Sequence, residues 1–215
     1  SKLGSQTKLK HKCLVKINGQ SLIDYNLEFF DKFKKRIIIT GYKSNLIKKK
    51  FKNDNFQFIK NKKYSSTNMV YSLFCAAKLV KESIVVCYSD KNIFKKLKKN
   101  TTSIVVKNNW YEYWKKRMKK RDIVDDAENL IIKKKYVQSI GGKINKNMPK
   151  NQFMGLIKIS QKDFFSLQKF FIKINNKKID FTSFLNLAIQ NKIIKLKAFE
   201  TNAFWLEIDS IKDLR

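Results

Sequence analysis

The sequence predicts a mixed α/β domain with a sheet covered on both faces. Up to about residue 107, short apolar runs alternate with segments of helical spacing, the order of parallel strands joined by crossover helices. The runs in "RIIITGY", "SIVVCYSD" and "SIVVK" are continuous and apolar, as buried strands are. The chain has 215 residues, 43% hydrophobic and 13% aromatic, which is enough for one real core and too apolar for a disordered chain.

The elements follow in order. "SLIDYNLEFFDKF" reads as a helix, with Ser21 as its cap, Asp24 three residues on, and Leu22, Tyr25, Phe29, Phe30 and Phe33 as its apolar stripe. "RIIITGY" is a strand that turns at Gly41, and "KSNLIKKKF" resumes helical spacing. "FQFIK" is a short strand. "STNMVYSLFCAAKLV" is a helix with Val70, Leu73, Ala77 and Val80 on one side. "SIVVCYSD" and "SIVVK" are strands around a helix "KNIFKKLKK". In the second half, "NLIIKKKYVQSIGGKI" predicts two strands around a lysine-rich turn. "FMGLIKIS" is a strand, "QKDFFSLQKFFIKI" and "DFTSFLNLAIQN" are helices, and "KIIKLKAF" and "FWLEID" are the last strands. No internal repeat or Pro- or Ser-rich linker interrupts the pattern, so residues 1–215 read as a single domain.

The net charge of +31 suggests a polyanion partner, and a non-catalytic nucleic-acid-binding protein is one reading of it. However, only 4 of the 48 basic residues are Arg, the lysines recur through most segments, and Asn, Ile and Phe are abundant as well. That joint bias is the mark of an A+T-rich coding sequence, and no RNA-recognition, helix-turn-helix or zinc-finger signature is present. The apolar runs are too short to span a bilayer, and no apolar stretch follows the charges of "SKLGSQTKLK", so the expected setting is cytoplasmic, with no membrane and no specific nucleic acid as partner. Cys13, Cys75 and Cys87 lack metal spacing and lie among apolar residues, which predicts small buried thiols.

Chemistry enters at the strand ends, where parallel α/β sheets bind ligands. Asp90 ends "SIVVCYSD" and is either a helix cap or a ligand-edge carboxylate. Asp209 ends "FWLEID", and Glu207 shares its strand face because side chains alternate. Two carboxylates on one face of an apolar strand repel each other. Together with Asp90 they would form an all-oxygen site for Mg²⁺; otherwise the pair belongs to a solvated edge. Lys12 opens the stretch "CLVKI" and is either a phosphate contact or one more surface lysine. Gly4 and Ser5 can offer backbone N–H groups to a phosphate. Trp110, Tyr111, Tyr113 and Trp114 form an aromatic cluster, either core or a cage for a quaternary ammonium. "DDAEN" supplies Asp125, Asp126 and Glu128, facing an amine or forming a solvated turn. Asn68 in "TNMVYSL" is a helix-start residue.

The ordered set "LGSQTKLKHKCLVKINGQSLIDYNLEFF", "IIITGYKSNLI", "TNMVYSLFCAAKLV", "VVCYSD", "DDAENLI", "FMGLIKIS" and "FWLEIDSIKDL" resembles the nucleotidyltransferase superfamily over nearly the whole chain. It is most similar to the small cytidylyltransferase branch typified by CTP:phosphocholine cytidylyltransferase, with sugar-1-phosphate nucleotidyltransferases as relatives. The resemblance implies a Rossmann-like three-layer α/β/α fold with a mixed, mostly parallel sheet. It implies that Lys12 contacts phosphates, that Gly4 and Ser5 wrap the nucleotide phosphates, and that Asp90, Glu207 and Asp209 hold Mg²⁺. Asn68 matches a position near the substrate. Asp126, Glu128, Trp110 and Trp114 are the acceptor candidates. The sequence departs from the family pattern at Gln6, where Arg is usual, and at His11, where Pro is usual; the family's first strand has no counterpart ahead of the loop. The implied reaction transfers CMP from CTP to a small phosphorylated acceptor, phosphocholine-like or an aminoalkyl phosphate or phosphonate, and releases pyrophosphate. A sugar-1-phosphate acceptor with UTP or another NTP is the alternative.

Overall fold

The computed structural model describes residues 11–27, 30–31, 33–87, 100–116, 118–144 and 147–202. After a 3₁₀ turn at Lys12–Leu14, the chain forms a small hairpin, β1 (Lys16–Ile17) and β2 (Gln20–Ser21). Asn18 and Gly19 between them both have positive φ, 48° and 82°, which suits the twist of a two-residue hairpin turn. Helix α1 (Leu22–Leu27) follows, fastened by Asp24, whose Oδ2 accepts from both the backbone N–H and the hydroxyl of Ser21. The predicted continuation of this helix through Phe29 passes outside the described residues.

Next come β3 (Ile37–Thr40), α2 (Ser44–Lys50) and β4 (Gln57–Lys60); β3 and β4 pair in parallel, with α2 as the crossover between them. Helix α3 (Met69–Phe74) buries Val70 and Leu73, and β5 (Ile84–Cys87) follows. Beyond residues 88–99 the chain gives β6 (Ser103–Lys107), α4 (Trp110–Trp114), α5 (Lys120–Asp126), the hairpin β7 (Glu128–Lys133) and β8 (Tyr136–Lys143), β9 (Gln152–Ile159), α6 (Gln161–Ile174), α7 (Phe181–Gln190) and β10 (Lys197–Thr201). Ser160 caps α6 by accepting from the Asp163 N–H, and Asp180 caps α7 by accepting from the Ser183 N–H.

Six strands form one mixed sheet in the order β5-β9-β6-β10-β8-β7. Its balance differs from the mostly parallel sheet predicted. Among the described residues, β6–β10 is the parallel neighbour pair of this sheet, and β5–β9, β9–β6, β10–β8 and β8–β7 run antiparallel. The reason lies in β9, which inserts between β5 and β6 and runs against both. A buried apolar run shows that a strand is covered, but not which way its neighbours point.

All five residues of β6 are buried, and this strand divides the core. Ile104 and Val106 join α3, α6 and α7 in one cluster that includes Phe164, Leu167, Phe171, Phe184 and Leu185. Val105 faces the other way, into a cluster with Trp110, Trp114, Ile123, Met154 and Leu156. Helices thus cover both faces, which gives the three predicted layers.

Candidate functional site

A set of buried polar side chains gathers where β6 ends and β9 begins. Lys107 is the last residue of β6 and lies in register with Gln152 of β9 and Thr201 of β10. It is 0% exposed, its Nζ donates to the Asn202 carbonyl (2.8 Å), and it lies 4.5 Å over the Tyr113 ring. Burial holds its pKa below the usual lysine value. Beside it, Asn151 Nδ2 donates to Asn108 Oδ1 at 2.6 Å, and Asn108 N–H donates to the Thr201 carbonyl.

Gln152 links this strand end to Glu128. Its Nε2 donates to the Glu128 carbonyl (2.6 Å), and its Oε1 accepts from the Glu128 N–H. The Thr182 hydroxyl has one proton and two carboxylates to give it to: Glu128 Oε1 at 2.9 Å and Asp180 Oδ1 at 3.1 Å. Burial pushes the Glu128 carboxyl up; the Thr182 hydrogen bond opposes this, and the charges of Asp180 and Asp126 reinforce it. Burial would raise Asp180 too, but hydrogen bonds from Ser183 and Thr182 outweigh it and hold that carboxyl below its usual range. Two acids that share one hydroxyl are thereby set to opposite tendencies. Gly141, at φ +85°, makes room: a Cβ there would stand 3.0 Å from both Cβ and Oγ1 of Thr182.

The sequence-predicted residues are distributed as follows. Lys12 lies exposed in the first turn, next to His11, whose Nδ1 accepts from the Cys13 N–H. Burial and the charge of Lys43, which follows β3, both lower the His11 pKa. Asn68 is the N-cap of α3: its Oδ1 accepts from the Met69 N–H, and its Nδ2 donates to the Lys178 carbonyl. Its amide is committed to holding α3 against the turn before α7. Asp126 ends α5 and is exposed, while Glu128 is half-buried. Gly4, Ser5, Asp90, Glu207 and Asp209 lie outside the described residues.

The aromatic cage is a correction. Trp110 and Trp114 are 2% and 5% exposed, pack edge-on against each other at 5.1 Å, and belong to the second core cluster. The Trp110 indole N–H donates to the Pro149 carbonyl. They share that cluster with Val105, Ile123 and Met154 and are closed to a ligand in this structure. The ring of Tyr113 does hold a cation, but it is the chain's own Lys107.

Among the described residues no group of three or more His, Cys, Asp or Glu can hold a metal ion. Asp90, Glu207 and Asp209 form an all-oxygen donor set whose chemistry would suit Mg²⁺. Among the described residues no helix is long and apolar enough to cross a membrane.

The sheet layered by helices, with acids, amides and a buried lysine at its strand ends, is an α/β fold shared with solved nucleotidyltransferases. The fold matches the CTP:phosphocholine cytidylyltransferase of Streptococcus pneumoniae with a TM-score of 0.72, at 20% identity, over 99% of this chain and 90% of that one. It matches the inositol-1-phosphate CTP transferase of T. maritima with a TM-score of 0.79, at 19% identity, over 100% and 86%. No protein-family model matches the chain. In sequence it is 30% identical, over 239 aligned residues, to the CTP:phosphoglutamine cytidylyltransferase of Campylobacter jejuni, spanning 100% of this chain and 93% of that protein. The chain belongs to the cytidylyltransferase family of nucleotidyltransferases.

Proposed function

We propose that this protein transfers CMP from CTP to the phosphate of a small acceptor that also carries an amine, and releases pyrophosphate. The observation that carries the reading is the full-length relationship to a CTP:phosphoglutamine cytidylyltransferase. Phosphoglutamine and phosphocholine each carry a phosphate and, elsewhere in the molecule, a cationic nitrogen. The half-buried Glu128, with Asp180 and Asp126 near it, supplies the negative field that such an acceptor needs.

An oxygen of the acceptor phosphate attacks the α-phosphorus of CTP, the bond to the β-phosphate oxygen breaks, and pyrophosphate leaves. Such a reaction depends on alignment and charge neutralisation more than on proton transfer. In this reading Lys12 meets the charge that builds on the α-phosphate, and Gly4 and Ser5 offer backbone N–H groups to the nucleotide phosphates. Asp90, Glu207 and Asp209 would hold Mg²⁺, which when bound offsets the repulsion between the two phosphates. Glu128 orients the ammonium end of the acceptor.

The test is to incubate the full chain with CTP, MgCl₂ and phosphoglutamine, phosphocholine, phosphoethanolamine or 2-aminoethylphosphonate, and to identify the product by mass. A CDP-linked product from at least one amine-bearing acceptor is expected. A nucleotide-linked product from glucose-1-phosphate or inositol-1-phosphate only would replace the acceptor assignment.

A further inference from the structure

The buried Lys107 has no part in the reaction steps above, and an ammonium is costly to bury unless something compensates it. Here the compensation is specific. The Nζ donates to the carbonyl of Asn202, the residue just past the end of β10, and lies over the Tyr113 face in α4. The backbone adds a second tie, from Asn108 N–H to the Thr201 carbonyl. The ends of two parallel neighbours, β6 and β10, are therefore bound to each other at the last residues of β10 and Asn202 just past it. Glu207 and Asp209 follow Asn202 by five and seven positions.

We propose that Lys107 is a positioning residue: it fixes the exit of the chain from β10 and so sets where the stretch carrying Glu207 and Asp209 begins. This rests on the reading that those two carboxylates serve the transfer reaction. Lys107 does not touch substrate itself, because it is fully buried and already held by a carbonyl and a ring. An apolar residue of similar length would fill the same volume without holding Asn202. A neutral amide donor would retain part of the tie.

The test compares Lys107→Met, Lys107→Gln and Tyr113→Leu with the wild type. Tyr113→Leu leaves the lysine in place and removes the face beneath it, so the set stays informative if Lys107→Met does not fold. Amide hydrogen exchange on the full chain without substrates is the first readout. The expected result is faster exchange confined to residues 197–215 and 107–114, with α6 and α7 unchanged, graded Met > Gln. With CTP and acceptor, kcat should fall by as much as about 100-fold, the cost typical of reacting groups displaced by about 1 Å, with the KM for CTP nearly unchanged and the MgCl₂ requirement raised. Exchange that is unaltered, or faster uniformly across the chain, overturns the proposal, as does a kcat unchanged per folded molecule. A wild type that transfers nothing from CTP overturns the proposed function instead, while the exchange result is read without it.

Discussion

The Thr182 hydroxyl stands 2.9 Å from Glu128 Oε1 and 3.1 Å from Asp180 Oδ1, so one proton serves two carboxylates. Asp180 has the Ser183 N–H as a further donor; Glu128 is half-buried and raised. This asymmetry singles out Glu128 as the acid under electrostatic strain.

Glu128→Gln should therefore stabilise the protein at neutral pH. A raised folded-state pKa means the ionised form is disfavoured on folding. The penalty is present above the folded pKa and disappears as pH falls toward the ordinary value of 4.5. The variant's Tm should exceed that of the wild type at pH 7 and match it near pH 4, as thermal melts across pH will show. If Glu128 also meets the acceptor's ammonium, the acceptor KM rises in the same variant and the KM for CTP does not.

Gly141→Ala should destabilise by about 1–3 kcal/mol, because a side chain is strained at φ +85° and its Cβ would press on Thr182. Urea unfolding measures this. Gly142→Ala, also at positive φ but with open space around it, should cost less.

Trp110→Ala should cost about 3–5 kcal/mol, as large-to-small core changes do, and should leave the Pro149 carbonyl without its donor. Among molecules that remain folded, the KM values for CTP and acceptor should move together. A selective rise in the acceptor KM would restore the cage that the packing argues against.

The Cys13 thiol should resist alkylation. Burial pushes its pKa up to about 11, so little thiolate exists at pH 8. Iodoacetamide labelling at pH 8, read by peptide mass, should leave Cys13 largely unmodified in the native protein and modify it fully in urea.

The sequence shows much of this fold, for identifiable reasons. Strands β3, β5 and β6 carry continuous apolar runs, β4 and β9 carry shorter ones broken by polar residues, and α6 and α7 carry Phe164, Leu167, Phe171 and Phe184 at helical spacing. Helix α5 does not show because "KRDIVDD" offers little beyond Ile123 to mark its buried side. The β1–β2 hairpin was not predicted: its strands are only two residues each, and Asn18-Gly19, a pair strongly favoured in such turns, is the signal that could have found it. The strand predicted from "KIIKLKAF" begins only at Lys197, since Ile194 and Leu196 reach the core from an irregular segment.

The candidate site was less visible. Glu128 stood out as an acid in "DDAEN", but its partners Thr182 and Asp180 are more than fifty residues away and only the fold brings them in. Lys107 could not be singled out at all: among so many lysines, nothing in "SIVVK" marks the one whose ammonium is buried. Trp110 and Trp114 misled because an aromatic cluster has the same spelling whether its faces are covered or open.

The most direct test of the account is pyrophosphate release by the full chain with CTP, UTP, ATP or GTP, each against amine-bearing phosphates and sugar-1-phosphates, in MgCl₂. The account predicts release that requires CTP and an amine-bearing acceptor and that is lost in Asp209→Asn. Release driven by UTP with glucose-1-phosphate, or full activity in Asp209→Asn, would contradict it.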